Sequence, residues 1–315
     1  MGASAAPDTI GSTGQSTPGR TAGGDSATKR LFGRQVRAAA VQLNSSHDKG
    51  RNLATADRLT RAAAAAGAGL VVLPEKFNLL TGEDGMRAGA EPLDGPTLTW
   101  ARDAARELSI DLVAGSIAER RPGRERVSNT SVHFGPDGET QAVYRKIHMF
   151  DVVVEGVEYR ESATEEPGEE IVLSEAGGVG LGLSVCYDLR FPELYRILAV
   201  RGARAIAVPA AFTTPTGIAH WDLLVRARAV ENQAFVVAAG QVGQWLPGKE
   251  SFGASMIVDP WGEVLACAPD VCAGVEETFV CADLDLAHQE EVRERLPSLA
   301  GRVEEAYRWP TGAGV

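Results

Sequence analysis

Apolar positions in this chain fall into short continuous runs and helical stripes that take turns along the sequence. Val36–Leu43 and Leu70–Leu73 are apolar runs of strand length. Between them, Asn52–Ala68 sets Leu53, Ala56, Leu59 and Ala63 on one stripe, which predicts an Ala-rich helix ended by Gly67 and Gly69. Pro74 closes the second run, and Glu75 follows it. Thr97–Leu108 is amphipathic and Asp111–Ala118 reads as a strand again. Thr130–Phe134 and Gln141–Tyr144 flank a Gly135-Pro136-Asp137-Gly138 turn, a hairpin signal.

The second half continues in the same style. Ile171–Leu173 and Val179–Val185 surround Gly177-Gly178, another hairpin. Glu193–Gly202 predicts a helix, Ala205–Pro209 a strand, and Ala219–Asn232 a helix that turns Trp221, Leu224, Val225 and Ala229 inward. Ala234–Ala239 is a strand, and Ser255–Val258 pairs with Glu263–Ala266 across Asp259-Pro260-Trp261-Gly262. Thr278–Ala282 is the last strand and Leu286–Leu299 the last helix. Hairpins mixed with strand–helix–strand crossovers predict an α/β fold with mixed sheets. No Gly/Pro/Ser linker interrupts the middle, so residues 35–310 read as one domain. Residues 1–34 are rich in Gly, Ser, Thr, Ala and Pro and cannot bury enough apolar area to offset ordering. They read as a disordered tail, without the charge and apolar pattern of a secretory signal.

Composition narrows the class. The 315 residues are 44% hydrophobic, with 31 Lys plus Arg against 42 Asp plus Glu and a net charge of −11. No apolar run approaches the roughly 18–20 residues of a bilayer span. The acidic balance, without a Lys/Arg block, argues against nucleic acid or anionic lipid as the main partner. Four cysteines in a chain this long do not make a disulfide framework. Cys267, Cys272 and Cys281 show no metal-ligand pattern with nearby histidines. A cytoplasmic globular protein acting on a small molecule, with no metal or organic cofactor, is the leading class.

Three strand ends carry reactive residue types. The segment from Gly182 to Leu194 drives an apolar strand into Cys186, with a helix beyond it. A cysteine at such a turn sits where outward backbone N–H groups favour a thiolate and can hold an oxyanion. Leu70–Leu73 ends at Glu75, and Gln141–Tyr144 leads to Lys146. Taken singly, each has an ordinary structural reading: a small buried hydrophobe, a strand-end cap, a solvated cation. Together they are what a shared sheet edge lined with catalytic groups needs.

The segments Leu73-Pro74-Glu75, Arg145–Asp151 and Cys186–Leu194 closely resemble the nitrilase superfamily of carbon–nitrogen hydrolases, over roughly residues 36–285. Val208–Trp221, Arg226–Gln233 and Ser255–Gly262 resemble its Nit branch. That branch contains ω-amidases acting on α-ketoglutaramate and amidases acting on deaminated glutathione. The resemblance implies an α-β-β-α sandwich with mixed sheets, four-layered on dimerisation, and a homodimer. It puts the catalytic Glu, Lys and Cys on Glu75, Lys146 and Cys186. It also implies a thioester mechanism, with Glu75 as base and Lys146 and the Tyr187 N–H on the oxyanion.

A second active-site glutamate of the family falls on Glu161, with Glu155 as the other candidate. Tyr187, Phe77, Arg190, Phe212 and Thr213 lie beside motif residues as candidate pocket lining. Arg190 suits a substrate carboxylate, or else an ion pair with Asp188 or Glu193. His148 is expected to brace the Lys146 loop. The implied activity is hydrolysis of a small linear amide with release of ammonia. An N-carbamoyl or nitrile hydrolase uses the same trio, and an inactive scaffold member is the non-enzyme alternative. Gly182-x-Ser184-x-Cys186 superficially matches a serine-hydrolase elbow, but Cys186 stands where that motif needs its second glycine.

Overall fold

A computed structural model describes residues 36–307. The tail expected over residues 1–34 lies outside these residues, as do residues 35 and 308–310 of the expected domain. Strand β1 (Val36–Gln42), helix α1 (Lys49–Ala65) and strand β2 (Leu70–Val72) form a crossover, with β1 and β2 parallel. Asp48 caps α1 by accepting from the Arg51 N–H at 3.0 Å. Helices α2 (Glu83–Ala88) and α3 (Pro96–Leu108) lead to β3 (Asp111–Val113), β4 (Ile117–Glu119), β5 (Ser128–Phe134) and β6 (Thr140–Arg145). A separate hairpin follows, β7 (Asp151–Val154) with β8 (Val157–Arg160).

The second half runs β9 (Leu173–Ala176), β10 (Val179–Leu183), α4 (Pro192–Val200), β11 (Ala205–Ala210), α5 (Thr214–Asn232) and β12 (Phe235–Gly240). A second separate hairpin joins β13 (Val242–Leu246) to β14 (Lys249–Phe252). Strands β15 (Met256–Val258), β16 (Val264–Cys267) and β17 (Thr278–Leu284) and helix α6 (Leu286–Arg295) complete the described elements.

Two mixed sheets result. One has the order β17-β1-β2-β3-β5-β4, with β6 on β5, and the other β16-β15-β12-β11-β10-β9. β1 and β2 face β11 and β12, α1 and α3 cover the first sheet, and α4 and α5 cover the second. The α-β-β-α order is therefore present within one chain. The strands facing both ways are fully apolar, such as Ala38–Val41 and Phe235–Ala239, all at most 1% exposed. β17, from the far end of the chain, pairs antiparallel with β1 along its length, Val36 opposite Leu284 and Gln42 opposite Thr278.

Three departures from the sequence reading bear on the site. Asp111–Ala118 is two strands, because Gly115 takes φ 44° and lets the Pro74 carbonyl approach where a Cβ would overlap it. The Ser116 N–H donates to that carbonyl at 3.3 Å, so the break supports the turn before Glu75. Helix α5 starts at Thr214 instead of Ala219. Pro215 fits a first helical turn, and Gly217 clears the Phe252 ring. The β7–β8 and β13–β14 hairpins were not expected. Their exposed faces dilute the apolar alternation that marks a strand.

Candidate functional site

Glu75 leaves the buried end of β2 with only 3% exposure, an unusual position for a carboxylate. Its neighbour Lys76 has φ 53°, and its N–H donates to Ser116 Oγ at 3.0 Å. The left-handed residue breaks strand alternation. Phe77, expected in the pocket, consequently packs into the core beside Trp100 and does not line the cavity. That expectation is corrected here: with Lys76 in the left-handed region, Phe77 does not share a face with Glu75.

Lys146 follows β6 and is 1% exposed. Its Nζ donates to Glu75 Oε1 at 3.0 Å and to Glu161 at 2.9 and 2.8 Å. Glu161 sits on the 3-10 turn Glu161–Ala163 after β8, and the Phe150 N–H donates to it at 2.8 Å. Glu155 instead occupies the exposed β7–β8 turn with φ 47°. Asn129 on β5 joins the cluster, donating to Glu75 at 2.8 Å and to Glu161 at 3.3 Å.

Cys186 is 7% exposed and follows the extended Val185 with φ 50°. A non-glycine residue there costs about 1–2 kcal/mol, so the surroundings must hold it. Asp188 does so. Its carboxylate accepts from the Val185 N–H at 2.8 Å and from the Tyr144 hydroxyl at 2.6 Å. The same carboxylate contacts His148 Nδ1 at 2.7 Å, and the His148 ring stacks on Phe191 at 3.5 Å. The Cys186 turn and the Lys146 loop are thus braced through one buried carboxylate.

A second ion pair lies behind the first. Lys76 Nζ is 2.6 Å from Glu165 Oε1 and 3.4 Å from Glu161 Oε1. Carboxyl and ammonium groups therefore alternate along Glu75, Lys146, Glu161, Lys76 and Glu165, all largely shielded from solvent. Burial pushes the Glu165 carboxyl up to about 8, against the pull of Lys76. Burial also works against ionised Glu161, but the Lys146 and Lys76 ammoniums hold it well below the usual carboxylate range. Burial opposes the charge on Lys146 too, and Glu161 and Glu75 outweigh it and raise its pKa.

Burial, then the Glu75 carboxylate, pushes the Cys186 thiol well above its ordinary value, while Lys146 and the Ala211 backbone pull the other way. Burial therefore favours the thiol form of Cys186. Such a site needs a base.

Glu75, Lys146, Glu161 and Cys186 line one cavity of about 140 Å³. Tyr187, Arg190, Phe212 and Thr213 are in its wall. Arg190 makes no ion pair with Asp188 or Glu193. Its guanidinium lies 5.8 Å from the Tyr187 ring centroid and 5.5 Å from that of Phe212. Sequence reasoning missed Lys76, Asn129, Glu165 and Lys249, of which only Lys76 stood beside a motif residue. Among the described residues, no His/Cys/Asp/Glu group could hold a metal ion.

The carbon-nitrogen hydrolase family model matches residues 37–294. The omega-amidase NIT2 of Homo sapiens is 40% identical over 272 residues, 86% of this chain and 96% of that protein. Among solved structures, the C. elegans NitFhit protein matches with a TM-score of 0.80 at 34% identity, covering 87% of this chain and 66% of that one. A Glu-to-Gln mutant of the amidase from Nesterenkonia sp. AN1 matches with a TM-score of 0.71 at 28% identity, over 86% of this chain and 95% of that one. That structure shows the acetamide moiety of fluoroacetamide added covalently at the active site cysteine.

Proposed function

The chain belongs to the carbon–nitrogen hydrolase family, and from that premise we propose that it is a cysteine-dependent amidohydrolase of small linear amides, such as the ω-amide of a carboxylic acid. The observation that carries this reading is the convergence of buried Glu75, Lys146 and Cys186 on one cavity. In this mechanism Glu75 takes the proton from the Cys186 thiol, whose raised pKa makes an internal base necessary. The thiolate attacks the amide carbonyl, and Lys146 with the Tyr187 N–H stabilises the tetrahedral oxyanion. Protonated Glu75 hands its proton to the departing ammonia, leaving a thioester on Cys186. Glu75 then activates water to hydrolyse that thioester.

Glu161 and Asn129 are positioning residues in this scheme. Glu161 accepts from Lys146 with both oxygens, and Asn129 donates to Glu75 and Glu161. Arg190, with no carboxylate partner among the described residues, takes the substrate carboxylate through its planar fork. Tyr187, Phe212 and Thr213 form the wall beside it.

The same reading includes a homodimer. Ile197 and Val200 on α4 and Leu223 and Val230 on α5 are exposed apolar side chains suited to a second copy. No helix among the described residues is long and apolar enough to cross a membrane. The four cysteines are free, as a reducing cytoplasm would keep them. The domain assigned to this activity is residues 35–310.

A product screen over succinamate, α-ketoglutaramate, deaminated glutathione and N-carbamoyl amino acids tests the function, read as ammonia for the primary amides and N-carbamoyl compounds and as the freed cysteinylglycine amine for deaminated glutathione. Release of ammonia from a monoamide without carbon dioxide is the expected result. Carbon dioxide as co-product would move the assignment to an N-carbamoyl hydrolase, and inactivity on all four would refute it.

A further inference from the structure

Lys146 has three N–H donors, and its contacts commit all of them to carboxylates: Glu75 Oε1 at 3.0 Å, Glu161 Oε1 at 2.9 Å and Glu161 Oε2 at 2.8 Å. To hold the oxyanion that forms beside Cys186, one donor must leave its carboxylate oxygen. By then Glu75 has taken the thiol proton, so Glu161 is the anion that competes with the oxyanion for Lys146. Glu161 Oε2 keeps the Phe150 N–H, at 2.8 Å, whichever way Lys146 turns. Oε1 has no backbone donor among the described residues. A buried anionic oxygen left short of a partner is costly, so Oε1 resists the departure of Lys146 unless another cation replaces it.

Lys76 is the second cation on that oxygen. Its Nζ is 3.4 Å from Glu161 Oε1, at the long end of hydrogen-bond range, and 2.6 Å from Glu165 Oε1. It lines the same cavity as Cys186, with a side chain only 14% exposed. Burial opposes its charge, and Glu165 and Glu161 outweigh that opposition, so it stays an ammonium. The other donor to Oε1 is the Asn129 amide at 3.3 Å, and the same nitrogen donates to Glu75 at the shorter distance of 2.8 Å. Lys76 is therefore the charge placed to replace Lys146 on Glu161.

We infer that Lys76 is a positioning residue of the reaction: it takes over Glu161 Oε1 as Lys146 turns to the oxyanion, and Glu165 holds it within reach. Lys76 touches no reacting atom in this scheme. Its effect is confined to steps in which a carbonyl oxygen gains charge. The inference rests on the amidohydrolase reading for the place of Lys146, and two reagents test it without an amide substrate.

p-Nitrophenyl acetate acylates a thiol: sulfur bonds to the carbonyl carbon, the oxygen takes the π pair, and collapse of that oxyanion expels p-nitrophenolate. Iodoacetamide alkylates the same sulfur by displacing iodide, and no carbonyl oxygen gains charge. In both reactions Glu75 takes the thiol proton. Rates at Cys186 are read at neutral pH as the difference from the Cys186→Ala protein, which subtracts the exposed Cys267 and Cys272. Lys76→Met should slow acylation about tenfold, the worth of one charge-assisted hydrogen bond, and leave alkylation within about twofold. Lys76→Met with Glu165→Leu strands no buried carboxylate and should show the same divergence, while Lys76→Arg should keep most of the acylation rate. Unchanged acylation in the double variant, or both rates falling together, would overturn the inference, as would a Cys186 that the ester does not acylate. Ammonia release from succinamate, run alongside, tests the amidohydrolase reading separately. A protein inert to succinamate that still separates the two rates loses that reading alone.

Discussion

Replacing Lys76 by Met removes the inner counter-charge of the buried cluster while keeping an unbranched side chain. The lost partner is close, with Nζ 2.6 Å from Glu165 Oε1 and side-chain exposures of 14% and 3%. Breaking a pair this buried typically costs about 3–5 kcal/mol when the survivor stays charged. Glu165 has another course, because burial already lifts its carboxyl from 4.5 to about 8 with Lys76 present. Between those values the folded protein holds a proton that the unfolded chain releases. Each pH unit there lowers stability by about 1.4 kcal/mol, and the loss stops near pH 8, once folded Glu165 ionises.

Without Lys76 the carboxyl titrates higher still, and the loss continues past pH 8. Parent and Lys76→Met should therefore run parallel from pH 6 to 8 and then diverge by about 1.4 kcal/mol per unit, reaching about 2 kcal/mol at pH 9.5. Urea unfolding at half-unit intervals measures the gap. Adding Glu165→Leu should abolish the divergence. A full gap already present at pH 6 and constant to pH 9.5 would refute the reasoning, since Glu165 would then be ionised throughout.

Other substitutions probe the remaining parts. Cys186→Ala should abolish amide hydrolysis and shift the midpoint of thermal unfolding by no more than about 2 °C, because a single small side-chain atom is removed; calorimetry and ammonia release read the two effects. Glu75→Gln keeps volume but removes the base, and steady-state turnover should fall by about 10²–10⁴-fold. Gly115→Ala, at φ 44° with the Pro74 carbonyl in the way, should destabilise by about 1–3 kcal/mol in urea and displace Glu75, so turnover in the folded fraction also drops. Tyr144→Phe removes the 2.6 Å hydrogen bond to Asp188 and should cost about 1.5–3 kcal/mol in urea unfolding.

The sequence was most informative where chemistry sits at the end of an apolar strand. Glu75, Lys146 and Cys186 each terminate or follow such a run, and the structure brings their side chains to one cavity. Glu161 was distinguishable from Glu155 only through a family pattern, since nothing local marks which of the two turns inward. The Lys76–Glu165 pair spans 89 positions, and no local periodicity links two charges that far apart. Phe77 was misplaced because a single left-handed residue, Lys76, reverses the direction that alternation assigns. Lys249 lay in a hairpin whose exposed positions gave no strand signal, so its approach to the cavity emerged only from the fold.

The pairing of β1 with β17 sets an order of events for the protein as it is made. Val36 has its partner in Leu284, so the strand formed first along the chain waits for one formed almost last. Glu75, Lys146 and Cys186 all leave the ribosome long before that edge is closed. Until Leu284 has been made, β1 lacks its antiparallel partner and the first sheet ends on an open edge. The same pairing sets the start of β1 beside the end of β17, two segments nearly the whole described chain apart in sequence.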